Sequence, residues 1–166
     1  LARRRGPPGA AAGLGALVAA VAASAPRFDG RPARHAQAHG DYILRNIQLD
    51  DSTVFAFDFE PEATAPAGYD VVRFLVDYAT LFGDHGKAGP GQLLSAADSV
   101  AFFGGYRFAR PADAGIGVLT GVQLVHDWMK LPIDPERHSL IEAVRLNGIR
   151  ETAARLFPHL RGQGHL

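Results

Sequence analysis

Three polar side chains, Asp41, Asn46 and Asp58, stand around a stretch of chain that otherwise reads as a small apolar hairpin. Asp41 and Asn46 lie five residues apart in a loop ahead of the first strand. Asp58 stands where the second strand ends, among Val54, Phe55, Phe57 and Phe59. A hairpin brings its two ends together, so Asp58 is expected to return beside Asn46. Two carboxylates and an amide oxygen converging at the mouth of an apolar element suit a hard divalent cation such as Mg²⁺. The carboxylate nearer the entrance remains free to accept a proton from a hydroxyl nucleophile. This is what phosphoryl transfer requires, since a metal neutralises phosphate oxygens while a base aligns an alcohol for in-line attack.

The elements that must position these residues follow from punctuation and periodicity. Short apolar runs at Ile47–Leu49 and Val54–Phe57, separated by the turn residues Asp50, Asp51 and Ser52, predict the hairpin. Residues 27–38 read as loop and then a short strand. Val71, Phe74, Leu75, Tyr78 and Phe82 recur at helical spacing from Tyr69 onward, and Gly83 ends that helix. A second helix is expected over 92–108, interrupted at Gly104-Gly105. A third is expected over 112–131, with Ile116, Leu119, Val122, Val125 and Met129 on its apolar face and Pro132 as its stop. A fourth should run from Pro135 to Phe157, closed by Pro158. Ahead of the hairpin, Ala10–Ser24 reads either as an alanine-rich packing helix stopped by Pro26 or, after Arg3-Arg4-Arg5, as the apolar part of a secretory signal peptide.

The segment from His39 to Glu60 resembles the catalytic and metal-binding loops of the aminoglycoside phosphotransferase and choline-kinase-like family, relatives of the protein kinases. The family pattern is His-Gly-Asp, an Asn shortly after, and an Asp at an apolar strand end about a dozen residues on; His39-Gly40-Asp41, Asn46 and Asp58 fill those places. The resemblance implies Asp41 as catalytic base, Asn46 and Asp58 as magnesium ligands, and His39 as a residue bracing the loop. It extends to Tyr69-Asp70, which opens the next helix as a Tyr-Asp pair does in the family. From the residues alone, Asp70 is a first-turn acid stabilising by capping and dipole; the resemblance adds a role in holding the catalytic loop. The resembling stretch covers about residues 35–82. The fold it implies is α+β, a kinase-like C-terminal lobe, mostly helical, with a small β-hairpin carrying the catalytic and metal loops. The implied activity moves the γ-phosphate of ATP or GTP to a hydroxyl of a small-molecule substrate, with Mg²⁺, in the cytoplasm, where such nucleotides are found.

The chain departs from the pattern in places. Ile43, Leu44 and Arg45 occupy the interval where the family often has His-Pro-Gly, and Ile43 cannot supply the cation that protein kinases aim at the transferred phosphate. Arg45 is the neighbouring residue that could contact it. Glu60 replaces the Gly of the protein-kinase Asp-Phe-Gly triplet, a change that small-molecule kinases tolerate. A nucleotide-gripping N-terminal lobe has to precede Asp41, yet the first 40 residues contain no Lys. Gly13-Leu14-Gly15 and Gly115-Ile116-Gly117 both sit in helical stretches and read as packing rather than as phosphate loops. With Leu at position 1 and Met129 its only methionine, residues 1–166 are expected to be the C-terminal lobe of a longer protein.

Composition narrows the rival classes. Seventeen Lys and Arg balance seventeen Asp and Glu, which argues against a nucleic-acid partner held by bulk charge. No segment carries the roughly 20 apolar residues of a membrane span. The absence of Cys excludes disulfide and thiolate-metal scaffolds, and the seven His show no zincin-type spacing. Asp77, Asp84, Asp98 and Asp113 read either as acids facing a cationic substrate or as solvated surface. His126-Asp127 reads as a pocket wall or as a helix-surface pair. The substrate-binding residues stay unassigned. Two rivals to the phosphotransferase remain: a non-catalytic, pseudokinase-like scaffold that keeps the fold, and a secreted helical protein cleaved after residues 23–25.

Overall fold

The computed structural model describes residues 8–30, 32, 34–83, 87–89, 91–106, 114–132 and 134–162. They form a mostly helical α+β fold of five helices and two two-stranded antiparallel ribbons. In chain order these are α1 (Pro8–Ser24), β1 (His35–Gln37), β2 (Ile47–Asp50), β3 (Thr53–Ala56), β4 (Thr64–Pro66), α2 (Tyr69–Phe82), α3 (Ala96–Gly105), α4 (Ala114–Lys130) and α5 (Leu140–Gly162). Among the described residues, no helix is long and apolar enough to cross a membrane.

The expected first helix forms and belongs to the core. Leu14, Leu17 and Ala20, spaced by three, are buried and packed with residues of α2, α4 and α5. Fully burying a leucine stabilises by about 1.5–3 kcal/mol, so cutting the chain after residues 23–25 would open this core. The helix stops where Pro26 enters a 3-10 turn, Ala25–Arg27.

The helix α2 has the bounds its periodicity predicts, from Tyr69 to the Gly83 stop, and it is the central element. Val72 and Val76 face α1, α4 and α5 in the main core with Leu124, Ile149 and Leu156. Val71 and Leu75 face the other way, into a smaller cluster with Leu94 and the rings of Phe74, Phe102 and Tyr106. With both flanks covered, Arg73, Asp77 and Thr80 of this helix are buried.

Three expectations are corrected. The second helix begins at Ala96, not Gln92, because Ser95 caps it: the Asp98 amide donates to Ser95 Oγ at 3.2 Å. It ends at Gly105, and Arg107–Phe108 lie outside the described residues. On α4, Val122 and Met129 are exposed, 48% and 57%. The buried stripe instead includes Ile116, Thr120, Gln123 and Leu124, with the Thr120 hydroxyl satisfied by the Ile116 carbonyl at 2.7 Å. The last helix starts at Leu140 behind a reciprocal capping box, in which the Ser139 amide donates to Glu142 Oε2 and the Glu142 amide to Ser139 Oγ. Residues 135–137 form a separate 3-10 turn, and the helix continues through Pro158.

The α2–α5 contact is close enough to require glycine at 148. A Cβ there would collide with the Thr80 carbonyl of α2. Gly148→Ala should therefore destabilise the fold by about 1–3 kcal/mol through overpacking, despite the better helix propensity of alanine. Denaturant unfolding measures this, and an equal or higher stability of the variant would show that the helices are not packed this tightly.

Candidate functional site

The two ribbons are one long hairpin with an excursion in its middle. Ribbon β1–β4 pairs His35 with Pro66 and Gln37 with Thr64. The pairing continues as Ala38 N–H donates to the Ala63 carbonyl at 2.9 Å and Glu60 N–H to the His39 carbonyl at 3.0 Å. It resumes beyond the excursion, where Phe57 N–H donates to the Asn46 carbonyl at 2.9 Å, and runs on into β2–β3, from Ile47–Ala56 to Asp50–Thr53. Between these rungs one side has six residues, Gly40–Arg45, and the other only Asp58 and Phe59. The longer side must bulge out as a loop, and Asp58 is carried to the mouth of that loop beside Asn46, as a hairpin demands. Asp58 is exposed and adopts φ +59°, a left-handed backbone uncommon for a non-glycine residue.

Gly40 explains the middle of His39-Gly40-Asp41. Its φ is +87°, and a Cβ there would meet the Glu60 side chain at 2.5 Å. Glu60 thus packs over the turn that starts the loop. His39 is buried, its ring 5.3 Å from both Tyr42 and Phe59. Neither ring nitrogen meets a hydrogen-bonding partner among the described residues. The ring packs the loop from beneath.

The loop is held mainly by one face of α2. The Asp70 carboxylate accepts the His39 amide at 2.7 Å and the Gly40 amide at 3.3 Å. One turn on, the buried Arg73 guanidinium pairs with Asp41 Oδ1 and lies over the Tyr69 ring, 5.9 Å from its centre. A further turn on, Asp77 accepts the Leu44 amide at 3.0 Å and pairs with Arg145 of α5 at 2.7 Å. Residues 70, 73 and 77 fall on one side of a helix, so three successive contacts fix the loop along its length. Asp77 is therefore 3% exposed and engaged by the loop and by Arg145; it is not solvated surface. Asp98 lies in the cap of α3, and Asp84 and Asp113 lie outside the described residues. Arg73 was not singled out from the sequence, and Asp77 was read there only as a substrate-facing or solvated acid. The available signal was their spacing from Asp70 on a helix whose other residues are Val, Leu, Phe, Ala, Tyr and Thr, where a charged residue has to be partnered.

Asp41 is the meeting point. Besides Arg73, its carboxylate receives Arg45 at 3.0 Å and the Asn46 amide at 3.2 Å. Asn46 Nδ2 also donates to the Asp41 carbonyl at 2.9 Å, which leaves Oδ1 as the oxygen it can offer a cation. Arg45, considered as a phosphate contact, is turned onto Asp41 with its side chain 75% exposed. Burial alone would raise the Asp41 pKa, but the Arg45 hydrogen bond and the charges of Arg73 and Arg45 outweigh it and hold the carboxyl below its ordinary 3.8. On α4, Asp127 is largely buried and accepts Gln123 Nε2 at 2.8 Å. Burial raises its pKa against the opposing charges of Arg145 and His126. Asp127 and Asp41 line the same cleft, so the pocket-wall reading of Asp127 fits better than a surface pair.

As oxygen donors at one end of a hairpin, Asn46 and Asp58 fit Mg²⁺, which takes one or two protein ligands and completes its shell with phosphates and water. Among the described residues, no group of three or more His, Cys, Asp or Glu side chains is arranged to hold a metal, so any cation here depends on the amide oxygen and on its ligand's own oxygens. Comparisons with protein-family models, curated proteins and solved structures find no match to this chain.

Two outcomes follow. Asp70→Ala removes an ionic acceptor from two loop amides, each such bond contributing about 1.5–3 kcal/mol. The amides of His39 and Gly40 should then lose most of their hydrogen-exchange protection while the α4–α5 core keeps its own; unchanged protection would show that Asp70 does not hold the loop. The lowered pKa of Asp41 means its stabilisation is complete above the ordinary carboxyl value and is lost as pH falls through the lower folded value. Wild type should therefore lose more stability than Asp41→Asn below about pH 4 in denaturant titrations. Parallel acid limbs would contradict the depressed pKa.

Proposed function

We propose that this chain is the catalytic, kinase-like C-terminal lobe of a small-molecule phosphotransferase of the aminoglycoside-phosphotransferase and choline-kinase-like type. The observation that carries the reading is the loop itself. Asp41 is fixed by Arg73 and Asn46 at the edge of a cleft, and the hairpin register brings Asn46 and Asp58 to the same end.

In this reading Asp41 accepts the proton of the acceptor hydroxyl. Its lowered pKa makes it a weak base, which suits a reaction whose transition state is loose and whose catalysis is mainly positioning. Asn46 and Asp58 would hold Mg²⁺, which when bound supplies charge neutralisation at the phosphate oxygens of ATP or GTP. His39 and Asp70 keep the loop in shape. Arg45, exposed and on the loop, is the residue that could exchange Asp41 for a phosphate oxygen. The groups that grip the nucleotide from the opposite side would belong to a further lobe. Leu49, Val54, Phe55 and Phe57 are exposed on the hairpin and offer an apolar surface for such a lobe to cover. A cytoplasmic setting follows from the need for nucleotide.

Two observations favour the scaffold rival. Two guanidiniums already neutralise Asp41, and Ile43 stands where protein kinases keep a cation. The test is γ-phosphate transfer by the protein expressed from its complete reading frame, with Mg·ATP and Mg·GTP binding followed separately. Asp41→Asn should lower transfer by about 10²–10⁴-fold, the usual contribution of a general base, and leave nucleotide binding nearly intact. Full activity of the variant would remove Asp41 from the base role. Nucleotide binding without any transfer by the wild type would favour the scaffold.

A further inference from the structure

The cleft beside Asp41 has a volume of about 720 Å³, within the range that encloses a drug-sized molecule. Its walls are the loop, one side of α2 from Arg73 to Phe82, the end of α4 and the start of α5. Its charges cancel. Asp77 is neutralised by Arg145 and Asp41 by Arg73. The four remaining lining ions, Arg45 and Lys130 against Asp127 and Glu142, add two charges of each sign. Such a cleft holds no excess negative potential with which to draw in a polycation.

The lining is divided in character rather than in charge. Asp41, Arg73 and Asp127 form a polar inner wall, and Asp127 is the acid of that wall whose carboxylate is bonded to an amide, Gln123, and a histidine rather than to an arginine. Around them stand Leu81, Phe82, Leu131 and Ile141. Phe82 is 68% and Ile141 65% exposed, so these side chains keep a large area to cover with a ligand. A polar wall with one available carboxylate acceptor and an apolar rim is complementary to a molecule with the same division.

Building on the phosphotransferase reading, we infer that this cleft is the acceptor site and takes an uncharged, hydroxyl-bearing molecule with an apolar body. One hydroxyl approaches Asp41, a second donates to Asp127, and the apolar body lies on Phe82 and Ile141. The transfer forms a bond between that first oxygen and the γ-phosphorus, breaks the bond from the γ-phosphorus to the bridging oxygen, and leaves the hydroxyl proton on Asp41 and the nucleoside diphosphate as leaving group.

Binding tests this apart from catalysis. Octyl β-D-glucoside, a neutral polyol with an apolar tail, is titrated into the chain below its micelle concentration by calorimetry, with glucose and kanamycin as tail-free and polycationic controls. The expected result is saturable octyl glucoside binding, at least ten-fold tighter than either control. Phe82→Ser and Ile141→Ser, both at exposed positions, should each weaken it about ten-fold, and Asp127→Asn should weaken it while the fold stays intact by circular dichroism. Unsaturable binding, no effect of the Phe82 and Ile141 variants, or tighter binding of kanamycin would each overturn the inference. The transfer assay on the wild type separates the two readings: saturable octyl glucoside binding with no transfer would sink the phosphotransferase while leaving the cleft's preference standing.

Discussion

The structure depends on a row of ionic contacts between α2 and the loop Gly40–Arg45: Asp70 on two amides, Arg73 on Asp41, Asp77 on a third amide. The loop's apolar residues, Tyr42, Ile43 and Leu44, are only partly buried, with Tyr42 against the His39 and Phe74 rings. The loop's conformation is imposed by a helix that is rigid because both its flanks are buried. Burying Arg73 and Asp77 in this helix is unfavourable unless each is partnered, and removing one partner leaves a buried charge uncompensated. The consequence is directional. A change that frees the loop from Arg73 or Asp77 also leaves a charge buried in α2 without that partner, and any change that shifts α2 moves Asp41.

The same arrangement explains why the glycines stand where they do. Gly148 lets α5 approach α2 until a Cβ would strike the Thr80 carbonyl, and that approach brings Arg145 within 2.7 Å of Asp77. Gly40 lets the loop turn under Glu60 at a positive φ, so its amide can reach Asp70. Core packing and site geometry are therefore linked through α2. The strained Asp58 lies on the far strand of the hairpin, outside that rigid row, where a ligand's own oxygens can complete what the chain leaves open.

Much of this was legible in the sequence. Two apolar runs around Asp50–Ser52 are enough for a two-residue hairpin, and Tyr69 to Gly83 carries its own period and stop. The placement of Asp58 beside Asn46 follows from antiparallel pairing alone. What could not be read was tertiary. On α4, Thr120 and Gln123 occupy buried positions because their polar groups are satisfied by Ile116 and Asp127, so a hydrophobic pattern picked Val122 and Met129 for the core instead. Strand β4 was invisible because Thr-Ala-Pro has no strand signal of its own; it forms because β1 is there to pair with. Arg73 and Asp77 carried a local signal, their register with Asp70, but only the position of the loop shows what that register is for.

The most direct test of this account is a double-mutant cycle between Asp41 and Arg73, with Asp41→Asn, Arg73→Met and the pair measured by denaturant unfolding at neutral pH. If Arg73 holds the loop through Asp41, either single change breaks the pair, and the double variant should lose less than the sum of the two, with a coupling energy of about 1–3 kcal/mol. Additive losses, with coupling below about 0.3 kcal/mol, would contradict the claim that α2 fixes Asp41 through this ion pair.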